Sequence, residues 1–316
     1  MKNHFLFLFL VASFTYAQEK ANIDQNEVTR IISELASDKM EGREVFKPGI
    51  DSASAFIEKE FLRIGLAYYN GLKGYKQEFK VDGERANNVI GVLPGKSKAN
   101  EYVVFSAHFD HLGTKSKFGK NDTKGDKVFN GANDDASGVT AVIALANYFK
   151  QLNTNERTLV FVAFTGEEIG GLGSEFFTES INENQVIAMF NIEMIGTESK
   201  WGRNSAYITG FEKSDFGVIL QRNLKGSDFS FYEDPYPTEQ LFYRSDNARL
   251  AAVGVPANTI STSKMDNEPN YHKLSDEVAT LDMDNMTEII KAIALSSESI
   301  VKGIDTPTRI PKIRMR

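Results

Sequence analysis

Short apolar runs alternate with helix-like stretches along this 316-residue chain from residue 88 onward. The runs are rich in β-branched and aromatic residues and end at turns, which is typical of buried strands. We predict strands at residues 89–93, 102–106, 158–164, 186–192 and 206–209. Strands that alternate with helices in this way indicate an α/β fold. We expect a single globular domain with a mixed, mostly parallel central sheet and helices on both faces.

Helical periodicity occurs in two segments before residue 88 and in three segments between or after the predicted strands. We predict helices at residues 25–36, 52–64, 139–149, 216–223 and 283–301. Asp24, with Glu27 three residues later, is a good N-cap for the first helix. In the second, Ala55, Ile57 and Phe61 recur at near-helical spacing, which indicates one apolar and one wet face.

The first residues of the chain resemble an export signal. Lys2 is followed by an apolar run from Phe5 to Phe14 and then by small residues around Ala17. The run is shorter than the ~20 residues that span a bilayer, so we expect a signal peptide at residues 1–17 and a catalytic domain at 18–316. The alternative is a short uncleaved anchor. After cleavage we expect no membrane insertion and a periplasmic or extracellular protein.

Charge and cysteine content exclude several classes of protein. The net charge of -7 argues against a nucleic-acid binder, which usually carries a basic stripe. The chain has no cysteine, so it has no disulfide framework and no thiolate ligand for a metal. Any metal site must therefore use imidazoles and carboxylates.

Histidines stand at the ends of the predicted strands. Besides His4, which leaves with the signal peptide, the chain has three: His108 and His111 follow one strand, and His272 lies in a polar loop. Asp110 is two residues from His108, so on an extended backbone both side chains face the same way, and the carboxylate can hold one ring nitrogen of His108. A lone pair of this kind is more often an ordinary surface contact.

Adjacent carboxylates follow the next strands. Asp134 and Asp135 precede a predicted helix, where aspartates usually act as caps, but the small residues around them allow a ligand to approach closely. Glu167 and Glu168 follow the strand at 158–164, where a solvated turn is the simpler interpretation. Glu193 stands where a buried strand ends, and an unpaired charge there is costly, so it needs a partner such as a metal ion.

Several of the polar clusters share one predicted position in the fold. In parallel α/β sheets the ligand site lies beyond the carboxyl ends of the strands, where several of these clusters fall. Together they supply two imidazoles and several carboxylates, a ligand set that suits zinc. The sequence therefore predicts a zinc site at this edge of the sheet.

The ordered motifs resemble the secreted bacterial aminopeptidases of metallopeptidase family 28, relatives of glutamate carboxypeptidase II and the glutaminyl cyclases. The resemblance covers nearly the whole mature chain. It rests on the segments at residues 35–43, around His108, 133–138, 166–168, 191–196, 245–246 and 271–272. It implies a zinc-dependent exopeptidase, most directly an aminopeptidase, that acts on peptides.

Site residues follow from the same resemblance. It implies two zinc ions, one held by His108, Asp134 and Glu193 and the other by Glu168, His272 and the bridging Asp134. Glu167 would be the general base, which takes a proton from the attacking water and delivers it to the leaving amine. Asp110 and Asp276 would hold the imidazoles of His108 and His272. The resemblance also implies a cis peptide between Asp134 and Asp135.

Two positions depart from the family pattern. The usual ligand at 193 is aspartate, and the extra methylene of Glu193 could shift or weaken the metal beside it. The usual Ser-Asp-His is here Ser245-Asp246-Asn247, so any role of that histidine is absent or filled differently. Neither departure removes the base or the bridging ligand.

Three alternatives stay open at this point. The chain could be a single-zinc enzyme of the glutaminyl cyclase type, an inactive binding module of the same fold, or a peptidase that reads a carboxyl terminus. For substrate binding we name Tyr243 and Arg244, an arginine being what a carboxylate-reading pocket needs. Glu233 and Asp234 could instead hold a free α-amino group, although loop charges of this kind are usually ordinary surface groups.

Overall fold

Nine strands form one twisted sheet in the computed structural model, which describes residues 21–114 and 125–314. In chain order the strands are β1 Ala67–Tyr68, β2 Lys76–Val81, β3 Glu84–Leu93, β4 Lys98–His108, β5 Arg157–Phe164, β6 Val186–Ile192, β7 Ser205–Ile208, β8 Ser230–Glu233 and β9 Ala257–Ser261. The signal peptide predicted at residues 1–17 lies outside the described residues.

The centre of the sheet is parallel and its flanks are antiparallel. Strands β5, β4, β6 and β9 lie side by side, and each is parallel to the next. On one flank β3 runs antiparallel to β5 and pairs with β1 and β2, and on the other β7 runs antiparallel to β9 and parallel to β8. The predicted mixed α/β fold with a mostly parallel centre is confirmed.

Seven α-helices accompany the sheet in the described parts of the chain. They are α1 Gln25–Leu35, α2 Pro48–Ile64, α3 Ser137–Leu152, α4 Leu172–Ser180, α5 Phe216–Asn223, α6 Asn247–Ala252 and α7 Met283–Val301. None of the described helices is long and apolar enough to cross a membrane.

The helices bury both faces of the sheet. Phe105 of β4 packs in the larger core, with apolar residues of α1, α2, α3, α5 and α7. Its neighbour Val104 points to the opposite face and packs in the second core, with Phe177 of α4 and Leu250 of α6. Because both faces are covered, all eight residues of β5 are buried, which explains the continuous apolar run from Leu159 to Phe164.

The predicted elements are present, with altered ends. Helices α5 and α7 match the predicted ranges, and Asp24 caps α1 by accepting a hydrogen bond from the Asn26 N–H (3.0 Å). Helix α2 begins at Pro48, four residues before the predicted start, because proline is well placed in a first helical turn. The strands β1, β2, β8 and β9 and the helices α4 and α6 were not predicted, since each is short and has a weak pattern.

Arg43 ties the N-terminal helices to the loops at the carboxyl edge of the sheet. Its guanidinium is fully buried and donates hydrogen bonds to four backbone carbonyls. The acceptors are Phe109 (2.8 Å), Leu35 (2.7 Å), Asn130 (2.6 Å) and Gly131 (2.9 Å). The planar fork of arginine reaches acceptors in several directions, which a lysine ammonium cannot do.

We expect Arg43→Lys to lower the free energy of unfolding by about 3 kcal/mol or more, because it leaves buried carbonyls without donors. Urea denaturation followed by circular dichroism measures this loss. The control is Arg63→Lys, since the side chain of Arg63 is 47% exposed and pairs with Glu60 near the surface. That change should cost less than about 1 kcal/mol. Equal losses in the two variants would contradict the role given to Arg43.

Candidate metal centre

The predicted site residues meet at the carboxyl ends of the central strands. His108 is the last residue of β4, Glu167 and Glu168 lie in the turn after β5, and Glu193 follows β6. His108 is buried, and Glu167, Glu168 and Glu193 are partly buried. The edge of the sheet at which the sequence placed the site is therefore where these side chains lie.

His108 has its two ring nitrogens in different environments. Nδ1 lies 3.1 Å from the main-chain carbonyl of Asp110, which can only accept, so Nδ1 carries the proton. Nε2 then has a free lone pair, and it lies 3.2 Å from Oδ1 of Asp134. A lone pair that faces a carboxylate oxygen at this distance needs a proton or a cation between them.

Asp134 presents one oxygen to each of two imidazoles. Oδ1 faces His108, and Oδ2 lies 3.2 Å from Nε2 of His272. The same Nε2 is 3.1 Å from Oε2 of Glu168. The side chain of Asp134 is 4% exposed, so these contacts are shielded from water. This arrangement is what the bridging role of Asp134 requires.

The peptide between Asp134 and Asp135 is cis, as the family resemblance implies. Asp135 turns away from the imidazoles, and its Oδ1 accepts hydrogen bonds from the N–H groups of Gly138 (3.0 Å) and Met194 (3.1 Å). Gly138 lies in the first turn of α3, so Asp135 fills the helix-capping role while Asp134 faces the site. Of the two roles considered for these aspartates, Asp135 therefore has the helix-capping role and Asp134 faces the candidate metal site.

Asp110 and Asp276 act on backbone groups of the site. The carboxylate of Asp110 accepts from the N–H groups of Glu167 (3.2 Å) and Glu168 (3.3 Å), and its Oδ1 is 3.7 Å from Nδ1 of His108. It therefore joins the ends of β4 and β5. The predicted contact of Asp276 with His272 differs from what the structure shows. Asp276 accepts from the N–H groups of Asn133 (2.8 Å) and Asp134 (3.0 Å), and it thereby holds the backbone on which Asp134 lies.

Burial and mutual repulsion control the ionisation of the other carboxylates. Burial raises the pKa of Glu167 well above its usual value, and the charges of Glu193 and Asp246 raise it further against the effect of His108. Burial likewise raises the pKa of Glu193, although Ser245 donates a hydrogen bond to it. Burial raises the pKa of Asp246 to about 7. These groups share a pocket in which ionised carboxylates lack countercharge.

The imidazoles respond in the opposite direction. Burial opposes protonation of His272, but its contacts with Asp134 and Glu168 outweigh burial and raise its pKa to about 10. Burial also acts against ionisation of Asp134, yet its contacts with His108 and His272 hold its pKa well below the usual range. The carboxylates thus create a strong demand for positive charge at the imidazole nitrogens.

This donor set fits divalent metal ions. Among the described residues, His108 Nε2 and Asp134 Oδ2 are buried and have no hydrogen-bond partner. Arg244 is the one arginine or lysine among the described residues that line the cleft, and it pairs with Glu239 (3.2 Å). Imidazole nitrogens and carboxylate oxygens at these separations are zinc ligands by type. A cation between these atoms would relieve the repulsion between the carboxylates and give His108 Nε2 and Asp134 Oδ2 a partner.

His111 belongs to the cluster, although no role was predicted for it. Its ring is buried, and Nδ1 lies 2.9 Å from Oε1 of Glu168 and 3.8 Å from Oδ2 of Asp134. Possible ligand atoms of His111, Asp134 and Glu168 all lie within 4.8 Å of one another. The signal was present in the sequence, because His111 follows the same strand as His108.

The two predicted substrate-binding residues, Tyr243 and Arg244, line different cavities. Arg244 lines the cleft beside Glu167 and His272. Tyr243 packs edge-to-face on Phe242 and lines a neighbouring depression that also contains Glu233 and Asp234. The structure therefore places Arg244 at the site, and Tyr243 on the other side of the same loop.

Asn247, where the family pattern has histidine, has a structural role. Its amide donates hydrogen bonds to the carbonyls of Phe242 (2.9 Å) and Ala257 (3.1 Å), and its Oδ1 accepts from the Thr259 hydroxyl (2.9 Å). It thus fixes the start of α6 to β9. Where the family pattern has histidine, this chain thus has an asparagine whose buried hydrogen bonds hold the backbone.

Comparison with known proteins agrees with this geometry. Residues 88–296, two-thirds of the chain, match the pattern of Peptidase family M28. The chain belongs to Peptidase family M28. The matched region contains the five proposed metal ligands and Glu167.

Several curated relatives of this M28 chain are named aminopeptidases. A probable leucine aminopeptidase of Arthroderma otae is 28% identical over 240 residues, which cover 71% of this chain and 59% of the relative. Aminopeptidase YwaD of Bacillus subtilis is 22% identical over 72% of this chain and 48% of its own length. A vacuolar membrane protease of Kluyveromyces lactis is 29% identical, but only 18% of its length is covered. The chain thus spans less than two-thirds of these relatives.

Solved structures share the fold. A zinc aminopeptidase of Bacillus subtilis superposes with a TM-score of 0.71 at 13% identity, over 94% of this chain and all of that one. A glutaminyl cyclase of Porphyromonas gingivalis gives a TM-score of 0.69 at 16% identity, over 88% of this chain and 99% of that one. A zinc aminopeptidase and a glutaminyl cyclase therefore both share the fold of this M28 chain.

We expect a strong chelator to lower the melting temperature of the purified protein, and added zinc to restore it. A ligand at 100 times its dissociation constant stabilises the folded state by about 2.7 kcal/mol, which corresponds to roughly 5 °C or more for a domain of this size. Differential scanning calorimetry measures the shift. Asp134→Asn, which removes the charge that faces both imidazoles, should respond much less to zinc. A melting temperature that is indifferent to chelator and zinc would contradict a metal centre here.

Proposed function

We propose that this chain is a zinc-dependent exopeptidase, most directly an aminopeptidase that removes N-terminal residues from peptides. One observation carries the proposal: the two oxygens of Asp134 each face a different imidazole, His108 on one side and His272 on the other. A carboxylate in this position can hold two metal ions at once. The names of the curated aminopeptidase relatives support the same class of reaction.

The residues present suit two zinc ions. His108, Asp134 and Glu193 would hold one, and Asp134, Glu168 and His272 would hold the other. When bound, such a pair polarises the scissile carbonyl and lowers the pKa of the attacking water. Glu193 is one methylene longer than the family aspartate, yet it lines the same cleft as Asp134 and Glu168.

Glu167 is placed to move the proton. It lines the cleft next to Asp134, and its backbone N–H is fixed by the carboxylate of Asp110 (3.2 Å). A carboxylate in a buried site binds a proton more readily than one in water, as the raised pKa of Glu167 indicates. It can therefore take the proton from water and deliver it to the departing amine.

The charge of the cleft favours a free amino terminus over a carboxyl terminus. Glu167 lines it and is not one of the proposed zinc ligands, so a free amine is better accommodated beside it than another carboxylate is. Arg244 could read a terminal carboxylate, but its guanidinium pairs with Glu239. These contacts support the aminopeptidase over a carboxypeptidase.

We expect Glu167→Gln to lower kcat/KM on leucine para-nitroanilide by about 100-fold or more, since it removes general base catalysis. The variant should keep two zinc ions per chain, measured by atomic emission. The control is Glu288→Gln, because Glu288 is exposed on α7 and pairs with Lys291, so activity should be unchanged. If Glu167→Gln binds zinc normally and retains full activity, the mechanism is wrong.

The same assay distinguishes the alternatives. N-acetyl-leucine para-nitroanilide should resist cleavage, because its amino group is blocked. Release of ammonia from glutaminyl peptides, with one zinc per chain, would indicate a glutaminyl cyclase instead. Cleavage from the carboxyl terminus of blocked peptides would indicate a carboxypeptidase. Zinc binding without hydrolysis of any of a broad peptide panel would indicate a binding module.

We also propose that residues 1–17 direct export. The short apolar run from Phe5 to Phe14 and the small residue at Ala17 support this proposal. Intact-mass measurement of the protein from the periplasm or medium of an expressing bacterium should give a chain that begins at Gln18. Full-length protein retained in the cytoplasm would contradict export.

A further inference from the structure

His111 is held beside the metal centre by its surroundings. Its side chain has no exposed surface, and its backbone N–H donates to the carbonyl of Arg43 (3.2 Å). Gly131 lies against the ring: a Cβ at this position would be 2.5 Å from both Cγ and Cδ2 of His111. The loop of Asp134 therefore needs glycine at 131 to make room for the imidazole of His111.

The carboxylate of Glu168 divides its two oxygens between two imidazoles. Oε2 lies 3.1 Å from Nε2 of His272, and that nitrogen also faces Asp134. Oε1 lies 2.9 Å from Nδ1 of His111. The oxygen near His272 and Asp134 is thus the one positioned for a metal, while the other is engaged by His111.

The contact with Glu168 requires a proton on Nδ1 of His111. If Nδ1 had no proton, its lone pair would face a carboxylate oxygen at 2.9 Å, which is repulsive. With the proton on Nδ1, the ring donates to Glu168, and the remaining Nε2 is a buried acceptor without a hydrogen-bond partner among the described residues. The distance therefore makes His111 a donor from Nδ1 to Glu168.

We propose that His111 is a positioning residue for the metal centre: it donates from Nδ1 to Oε1 of Glu168 and thereby turns Oε2 toward the zinc shared with His272 and Asp134. Hydrogen bonds from neighbouring side chains orient metal-bound carboxylates, and their loss typically weakens metal binding about 10–100-fold. This inference rests on the zinc enzyme proposed above, but not on its substrate.

The test compares three substitutions of His111. His111→Asn keeps a donor near the position of Nδ1, His111→Gln moves the donor further along the side chain, and His111→Leu has a similar volume and no donor. We measure zinc affinity by competition with a chromophoric chelator, and zinc content by atomic emission. Urea denaturation of each variant in chelator establishes that it folds.

We expect one of the two zinc ions to bind about 10–100-fold more weakly in His111→Leu and His111→Gln, with the other unchanged. His111→Asn should restore the lost affinity to within a few-fold of the wild type. Cobalt substituted into the weakened position should change its visible absorption in the Leu variant and recover it in the Asn variant. Leu112→Val, a buried change in the same loop that keeps His111, should leave both affinities unchanged.

Each contrary result has a distinct meaning. Unchanged zinc affinities in His111→Leu would overturn the inference and leave the zinc enzyme intact. Equal weakening in the Asn and Leu variants would also overturn it, because it would make His111 a direct ligand or a packing residue. A wild-type protein that binds no zinc would instead refute the proposed function.

Discussion

Negative charge at the carboxyl edge of the sheet is the constraint on which the site depends. Asp134, Glu167, Glu168 and Glu193 converge there in a cleft that is largely shielded from water. Buried carboxylates without countercharge are costly, and backbone donors offset only part of that cost. Two imidazoles face Asp134 at 3.2 Å, so a shared cation is the simplest way to balance the charge. The same balance accounts for the shifted pKa values of the carboxylates and imidazoles.

Hydrogen bonds to their backbone groups fix the loops that carry these charges. Arg43 donates to the carbonyls on either side of the site, at Phe109 after β4 and at Gly131 before Asp134. Asp110 links the turn after β4 to the turn after β5, and Asp276 holds the loop of Asp134 by its N–H groups. The metal centre is thus built on loops whose backbone polar groups are paired before any ligand binds. This pairing limits the movement of the side chains that face the cleft.

Much of the site could be predicted from the sequence, because parallel strands bring their carboxyl ends to one edge. His108 and Glu193 were placed correctly by this rule alone, and family resemblance added the cis peptide after Asp134. The contact of Asp276 with backbone N–H groups could not be predicted. It depends on how two loops distant in sequence meet, and residues 133 and 276 have no periodic relation. The strands β1, β2, β8 and β9 were missed because short segments with a weak pattern pair only in the presence of their neighbours.

The sequence by itself determined the class of fold, the residue types at the strand ends and the family. These follow from local patterns: apolar runs fix which segments are buried, and residue type fixes which atoms can bind a cation. Only the tertiary structure decided which oxygen of each carboxylate faces which imidazole. It placed His111 against Glu168, fixed Asn247 in a packing role and separated Tyr243 from Arg244. Such choices depend on distances of a few ångströms between segments remote in sequence, which no local pattern encodes.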